Sequence, residues 1–189
     1  MNAGVIVGDY DAAWPERASA LIGRLAAALG PMARRVEHIG STSIPAMAAK
    51  DVLDLQVSVD DLDDAVAAFD APLQSLGFVL TPYERDHVPA GSSDDPARWV
   101  KRLWTRHDHV DGEVNLHVRV IGSPNERLAL LFRDWFRAHP GSVPAYAAFK
   151  RAVADAVPDR GVYSDVKDPV VDLVISVAET WANHRSWVP

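Results

Sequence analysis

The stretch His38-Ile-Gly-Ser-Thr-Ser-Ile-Pro-Ala-Met-Ala-Ala-Lys-Asp-Val-Leu-Asp-Leu-Gln-Val57 decides how this chain is read. A short strand, Arg35–Ile39, runs into Gly40-Ser41. A loop follows to Lys50, and a second strand presents Asp54. Glycine lets backbone approach a phosphate closely, and a following hydroxyl can bond it. A Gly-Ser pair before a strand, taken alone, makes a plain turn more often than a phosphate site. Along Val52–Val59, Leu53, Leu55, Val57 and Val59 alternate with Asp54, Gln56 and Ser58, so Asp54 and Gln56 share one strand face. Two carboxylates at that spacing would hold Mg²⁺ between protein and a triphosphate. Gln56 offers a carbonyl oxygen but no charge, which weakens such a site.

Working outward, Asp11–Glu16 opens a helix with Pro15 in its first turn. Trp14, Ala18, Leu21, Ile22, Leu25 and Leu29 then share a helical face, and Gly30-Pro31 ends it. Downstream, Leu62, Val66, Phe69, Leu73 and Leu76 keep helical spacing, and Pro72 is expected to kink or split that helix. Phe78–Leu80 begins a strand. Residues 81–98 are rich in Pro, Gly, Ser and Asp and are expected to form a mobile loop. Trp99–Thr105 is a strand candidate, and residues 106–112, with His107 and His109, a polar turn. Glu113, Asn115, His117 and Arg119 then line one face of a further strand. Ser123-Pro-Asn-Glu126 is a capping box, and three helices follow. The expected fold is α+β in one domain: an α/β core over 1–122 with a mixed β-sheet and helices on one side, and a C-terminal helical cap over 123–189.

The chain has 189 residues, 48% of them hydrophobic and 24% charged, which is a globular composition. Its net charge of −7 disfavours extended contact with nucleic acid backbone. The absence of cysteine excludes disulfides and thiolate metal sites and fits a cytoplasmic location. No signal peptide and no membrane partner are expected, because no apolar run approaches the roughly 20 residues of a membrane helix.

The Gly-Ser, spacer, Asp-x-acid plan resembles the nucleotidyltransferase superfamily. The resemblance implies a third acid from a neighbouring strand, for which Glu113 is the candidate. Further stretches narrow it. Asp9-Tyr-Asp-Ala-Ala-Trp-Pro15, Glu37-His-Ile-Gly-Ser-Thr-Ser-Ile-Pro45, Ala49-Lys-Asp-Val-Leu-Asp54, Asn115-Leu-His-Val118, Leu131-Phe-Arg-Asp-Trp135, Tyr146-Ala-Ala-Phe-Lys150 and Tyr163-Ser-Asp-Val-Lys167 follow the order of the GrpB family over nearly the whole chain. The chain is especially similar to the GrpB domain fused to dephospho-CoA kinase in actinobacteria, where that domain is a folding accessory. No kinase P-loop is present here.

The resemblance implies a nucleoside triphosphate ligand and a Mg²⁺ cofactor. Asp54 and Glu113 would be catalytic, with Asp54, Gln56 and Glu113 around the metal. His38, Gly40, Ser41, Thr42, Lys50, His117, Arg119, Tyr163 and Lys167 would bind the nucleotide. Plainer readings stand beside these. His38 and His117 also suit hydrogen-bonded strand histidines. Lys50 suits exposed surface, and Tyr163 suits a helix start capped by Ser164. Two functions remain open: nucleotidyl transfer to a small acceptor, or an inactive binding or accessory module.

Overall fold

The computed structural model describes residues 4–108, 112–157 and 159–189. Five strands, β1 (Arg35–Ile39), β2 (Val52–Val59), β3 (Val79–Leu80), β4 (Arg102–Asp108) and β5 (Gly112–Val120), form one sheet in the order β1-β2-β5-β4-β3. β2 and β5 run parallel, and the other pairs are antiparallel. Helices α1 (Trp14–Leu29) and α2 (Leu62–Ser75) come from the first part of the chain. Helices α3 (Pro124–Ala138), α4 (Val143–Ala156) and α5 (Arg160–Arg185) complete it. This is the expected α+β arrangement with a C-terminal helical cap.

Strand alternation divides the sheet into two chemically different faces. Leu53, Leu55, Val57 and Val59 of β2 and Val114, Leu116 and Val118 of β5 meet Leu21 and Leu25 of α1 and Phe69 and Leu73 of α2. That face is the main core. A second core joins the loop after β1, through Ile44 and Met47, to the cap helices through Leu131, Phe136, Tyr146 and Ala178. The opposite sheet face is polar, and the start of α3 covers part of it. Glu126, 1% exposed, pairs there with Arg35 of β1, accepts from Ser58 Oγ at 2.7 Å, and receives the Gln56 amide on its backbone carbonyl at 3.2 Å. Only half of the expected capping box forms: Ser123 Oγ accepts from the Glu126 backbone N–H, while the Ser123 N–H bonds Val120 O. The Glu126 side chain, however, is directed into the sheet.

Several local expectations are corrected. Pro72 does not split α2, which runs unbroken from Leu62 to Ser75. It sits in the last turn, where the missing N–H removes one bond while buried Phe69 and Leu73 hold the helix to the core. The fourth strand begins at Arg102 rather than Trp99, because Pro96–Trp99 forms a 3₁₀ turn. β4 and β5 extend into the expected 106–112 turn, of which residues 109–111, including His109, lie outside the described residues. The segment 81–98, expected to be mobile, is anchored through Asp86. Its N–H bonds Trp99 O at 3.0 Å, and its carboxylate accepts from Lys101 at 2.5 Å, Arg119 at 2.8 Å and Asn125 at 2.9 Å. Helix α5 is capped by Asp159, not by Ser164, and so begins one turn earlier. Among the described residues no helix is long and apolar enough to cross a membrane.

Removing one partner of a buried ion pair leaves the other uncompensated. Glu126→Ala is therefore expected to cost about 2–4 kcal/mol, since Arg35, Ser58 and Gly122 lose their acceptor. Urea unfolding measures this; a loss within error would show that Glu126 holds nothing together.

Candidate functional site

The polar sheet face and the cap helices enclose a cleft, and the strand register decides what faces it. β2 and β5 align Asp54 with Asn115 and Gln56 with His117. Asn115 Nδ2 donates to Asp54 Oδ1 at 2.9 Å, and His117 Nε2 lies 3.7 Å from the same oxygen. Gly40, at φ +68°, passes directly over this carboxylate, and a Cβ there would stand 2.5 Å from Asp54 Oδ2. Glycine is required at this place for both its backbone angle and its lack of a side chain.

Around Asp54 the cap supplies cations. Lys150 of α4, 2% exposed, donates to Ser41 Oγ at 2.8 Å. Lys50 and Lys167 lie over the Tyr163 ring, 5.2 and 4.7 Å from its centroid. Ser41, Thr42, Lys50, Asp54, Asn115, Lys150, Tyr163, Ser164 and Lys167 all line one polar cavity of about 160 Å³. A second cavity of about 340 Å³ adjoins it and shares Ser41, Asp54 and Lys167. Leu128, Phe132, Tyr146 and Val171 give that second cavity an apolar wall, and His117, Arg119 and Asp86 a polar one.

Burial acts against each charge, and the neighbours decide the balance. For Asp54 burial opposes ionisation, but bonding to His117 and Asn115 and the charge of Lys50 outweigh it and hold the carboxyl below its usual range. Burial, then Arg119 and Lys101, push His117 down to about 4, so its ring is neutral near pH 7. Its Nδ1 faces Lys101 Nζ at 3.4 Å and Arg119 Nη2 at 3.3 Å and so acts as acceptor, which leaves the proton on Nε2, toward Asp54. Burial, then Lys167, lower Lys150 to about 7. Lys167 is lowered by burial and by Lys50.

The residues expected from sequence are only partly brought together. Gly40, Ser41, Thr42, Lys50, Asp54, His117, Arg119, Tyr163 and Lys167 surround the two cavities, although the Thr42 hydroxyl is already bonded to His38 Nε2 at 2.9 Å. His38 pairs with Leu55 in the register and so sits on the face opposite Asp54. Burial, only partly opposed by Asp54, lowers its pKa to about 4. Glu113 lies opposite Val52 and lines a different groove, with His107 Nδ1 3.9 Å from its carboxylate. Gln56 is fully buried, and both ends of its amide are used. Nε2 donates to Glu126 O, and Oε1 accepts from Arg119 Nη1 at 2.6 Å. Arg119 is likewise engaged by Gln56 and by Asp86 at 2.8 Å. Lys150 and Asp86 were missed from sequence. Lys150 ends the Tyr146-Ala-Ala-Phe-Lys150 stretch on an otherwise apolar helix, and Asp86 is masked by loop composition.

The donor set does not fit the Mg²⁺ site of Asp54, Gln56 and Glu113 expected from sequence. Among the described residues Asp54 is the one carboxylate lining the smaller cavity, Gln56 Oε1 holds a guanidinium, and Glu113 lines a different groove. Among the described residues no group of three His, Asp or Glu could hold a metal ion.

Comparisons place this geometry among known proteins. The family profile described as GrpB protein matches residues 4–176. A dephospho-CoA kinase of Mycolicibacterium paratuberculosis is 36% identical over 193 aligned residues, covering 95% of this chain and 47% of that protein. The chain thus spans about half the length of the curated kinases it matches. The crystal structure of GrpB from Enterococcus faecalis superposes with a TM-score of 0.74 at 26% identity, covering 93% of this chain and 99% of that one. The Cid1 poly(U) polymerase with MgGTP bound gives 0.53 at 16% identity over 75% of this chain and 43% of its own, a likeness of fold alone.

The lowered histidines tie stability to pH. A group whose folded pKa lies below its unfolded value stabilises above the unfolded pKa and loses that contribution as pH falls. For His38 and His117 the window runs from about 6.5 down to about 4. Each is expected to remove up to about 1.4 kcal/mol per pH unit within it. Urea midpoints for the wild type and His117→Asn across that range check this; an equally steep decline in the variant would contradict it.

Proposed function

Because the chain belongs to the GrpB family and has a nucleotidyltransferase-like fold, we propose that it binds a nucleotide or related phosphate ester in the Asp54 cleft and acts as a binding or accessory module. The observation that carries this reading is the exchange of charge around Asp54. Lys50, Lys150 and Lys167 stand where an anion needs counter-charge, while the amide of Gln56 is bonded on both sides. The small polar cavity suits a phosphate group. The adjoining cavity of about 340 Å³ falls within the roughly 300–1,000 Å³ of small-molecule sites and suits the nucleoside.

The chemistry follows from these groups. Buried ammonium groups bind phosphate as point charges, strengthened where water is excluded. Ser41 Oγ, bonded to Lys150, lies at the same wall. Asp54 orders the cleft by accepting from Asn115 and facing the His117 ring, and it repels a bound anion. Nucleotidyl transfer to a small acceptor is the second reading; the Gly40-Ser41 and Asp54 arrangement favours it.

Asp54→Asn separates the two. With lysines balancing the phosphate, the amide removes a repulsive charge, and ATP affinity in the presence of EDTA is expected to rise about tenfold, about 1.4 kcal/mol. A site that bridges phosphate through a metal on Asp54 loses affinity instead, and only when Mg²⁺ is present. Binding is also expected to weaken as pH rises above about 7, because Lys150 loses its proton there. Lys150→Met is expected to bind weakly and without that pH dependence. Calorimetric titration of wild type and both variants, with Mg²⁺ and with EDTA, gives the answer. Mg²⁺-dependent binding abolished by Asp54→Asn would sink the accessory reading.

A further inference from the structure

Part of the wall of the 340 Å³ cavity belongs neither to the sheet nor to the cap helices. Asp86, His87 and Pro89, from the connection between β3 and β4, line it together with Asp168, Val171 and Asp172 of α5. This connection is held at two points, and the two differ in strength.

The first is Asp86. Its carboxylate meets Lys101 and Arg119, whose side chains are 9 and 6% exposed, and also accepts from Asn125. The backbone is tied at the same place. The Lys101 N–H bonds Glu84 O at 2.9 Å, and the Asp86 N–H bonds Trp99 O at 3.0 Å. Separating buried paired charges is costly. The second point is Asp172. His87 Nε2 lies 3.0 Å from Asp172 Oδ2, and the Ala90 N–H donates to the same oxygen at 2.9 Å. His87 Nδ1 stands 3.9 Å from Asp168. The His87 side chain is 44% exposed, and polar contacts open to water hold weakly.

Between these points the chain has little else to hold it. Among the described residues no backbone bond ties 87–92 to the sheet. The one backbone bond within the stretch closes a turn, from the Ser92 N–H to Pro89 O at 3.0 Å. Gly91 takes the third position of that turn at φ +82°, the left-handed angle glycine supplies. The turn thus presents the Ala90 N–H to Asp172 as a preformed unit.

We propose that residues 87–92 form a gate on the nucleoside cavity, hinged at Asp86 and latched by Asp172, which opens to admit and release the ligand. The proposal rests on the nucleotide reading of the cleft given above. While Asp172 holds His87 and Ala90, the wall of the cavity stands against α5. When both contacts break, the turn swings away as a unit and Asp86 stays with its buried partners. A gate of this kind sets the rates of entry and exit together.

Hydrogen exchange and stopped-flow binding test it in the full chain. In Asp172→Ala the amides of 87–92 are expected to exchange about tenfold faster than in the wild type, while the Asp86 amide keeps its protection. Binding of fluorescent N-methylanthraniloyl-ATP, followed with EDTA present, is expected to accelerate in both directions, dissociation by about tenfold. Losing a negative charge beside the cavity would by itself speed association and slow dissociation, so slower dissociation overturns the gate. His87→Ala, at an exposed position on the other side of the latch, is expected to raise both rates by less. Added to Asp172→Ala it is expected to change nothing further, since both act on one contact. Unchanged exchange in Asp172→Ala, or freed amides with unchanged rates, overturns the gate and leaves nucleotide binding standing. Absence of binding in the wild type and in both variants overturns the nucleotide reading, and the gate with it.

Discussion

A guanidinium taken out of water must be met by acceptors on every side, and Arg119 shows how much structure that demand organises. The side chain is buried on the polar face of the sheet. Asp86 accepts from its Nε, Gln56 Oε1 accepts from one terminal nitrogen, and His117 Nδ1 faces the other. Each partner is thereby fixed in turn. Asp86 draws the segment after β3 onto the sheet, Gln56 passes the connection to the backbone of Glu126, and His117 is set in the tautomer whose proton faces Asp54. A buried polar network rigidifies when all its members are satisfied and is costly when one is not. Here the members come from β2, β5, α3 and a long loop, so the network joins the sheet to its cap.

This arrangement also decides what the cleft can do. At Gln56 an acidic residue would have offered a second hard ligand, but the amide present bonds in both directions within the protein. A carboxylate substituted there would meet Arg119 before it met a metal ion, and would leave the Glu126 carbonyl without its donor. Gln56 is therefore part of the fold's interior, not a pocket residue awaiting a charge. The positive charge near Asp54 comes from the cap, through Lys150 and Lys167, with Lys50 from the loop. Burial holds Lys150 near the point of losing its proton, a state that an incoming phosphate would reverse.

The sheet was legible because alternation in β2 and β5 is nearly unbroken, and the same alternation placed Asp54 and His117 on one face. Gly40 was legible for its chemistry, since both the turn and the close approach to Asp54 call for glycine. Other features depend on pairing that no single stretch reveals. The family resemblance puts His38 with the site, yet its register with Leu55 turns it to the other face. Glu113 occupies the right face but lies one strand step from Asn115, which is the residue level with Asp54. The 81–98 segment has a loop's composition and still holds Asp86, whose importance arises from cations that lie 15 and 33 residues away. Pro72 broke the pattern of α2 on paper only, because tertiary burial of its neighbours outweighs one lost hydrogen bond.

In the proposed binding mode lysines, not a metal ion, balance the ligand charge at Asp54. The most direct measurement is a crystal structure of the protein with a nonhydrolysable ATP analogue and Mn²⁺, with anomalous scattering recorded at the manganese edge. Phosphate oxygens are expected against Lys50, Lys150 and Lys167, with no anomalous peak at Asp54. A manganese ion bridging the Asp54 carboxylate to the phosphates would contradict it.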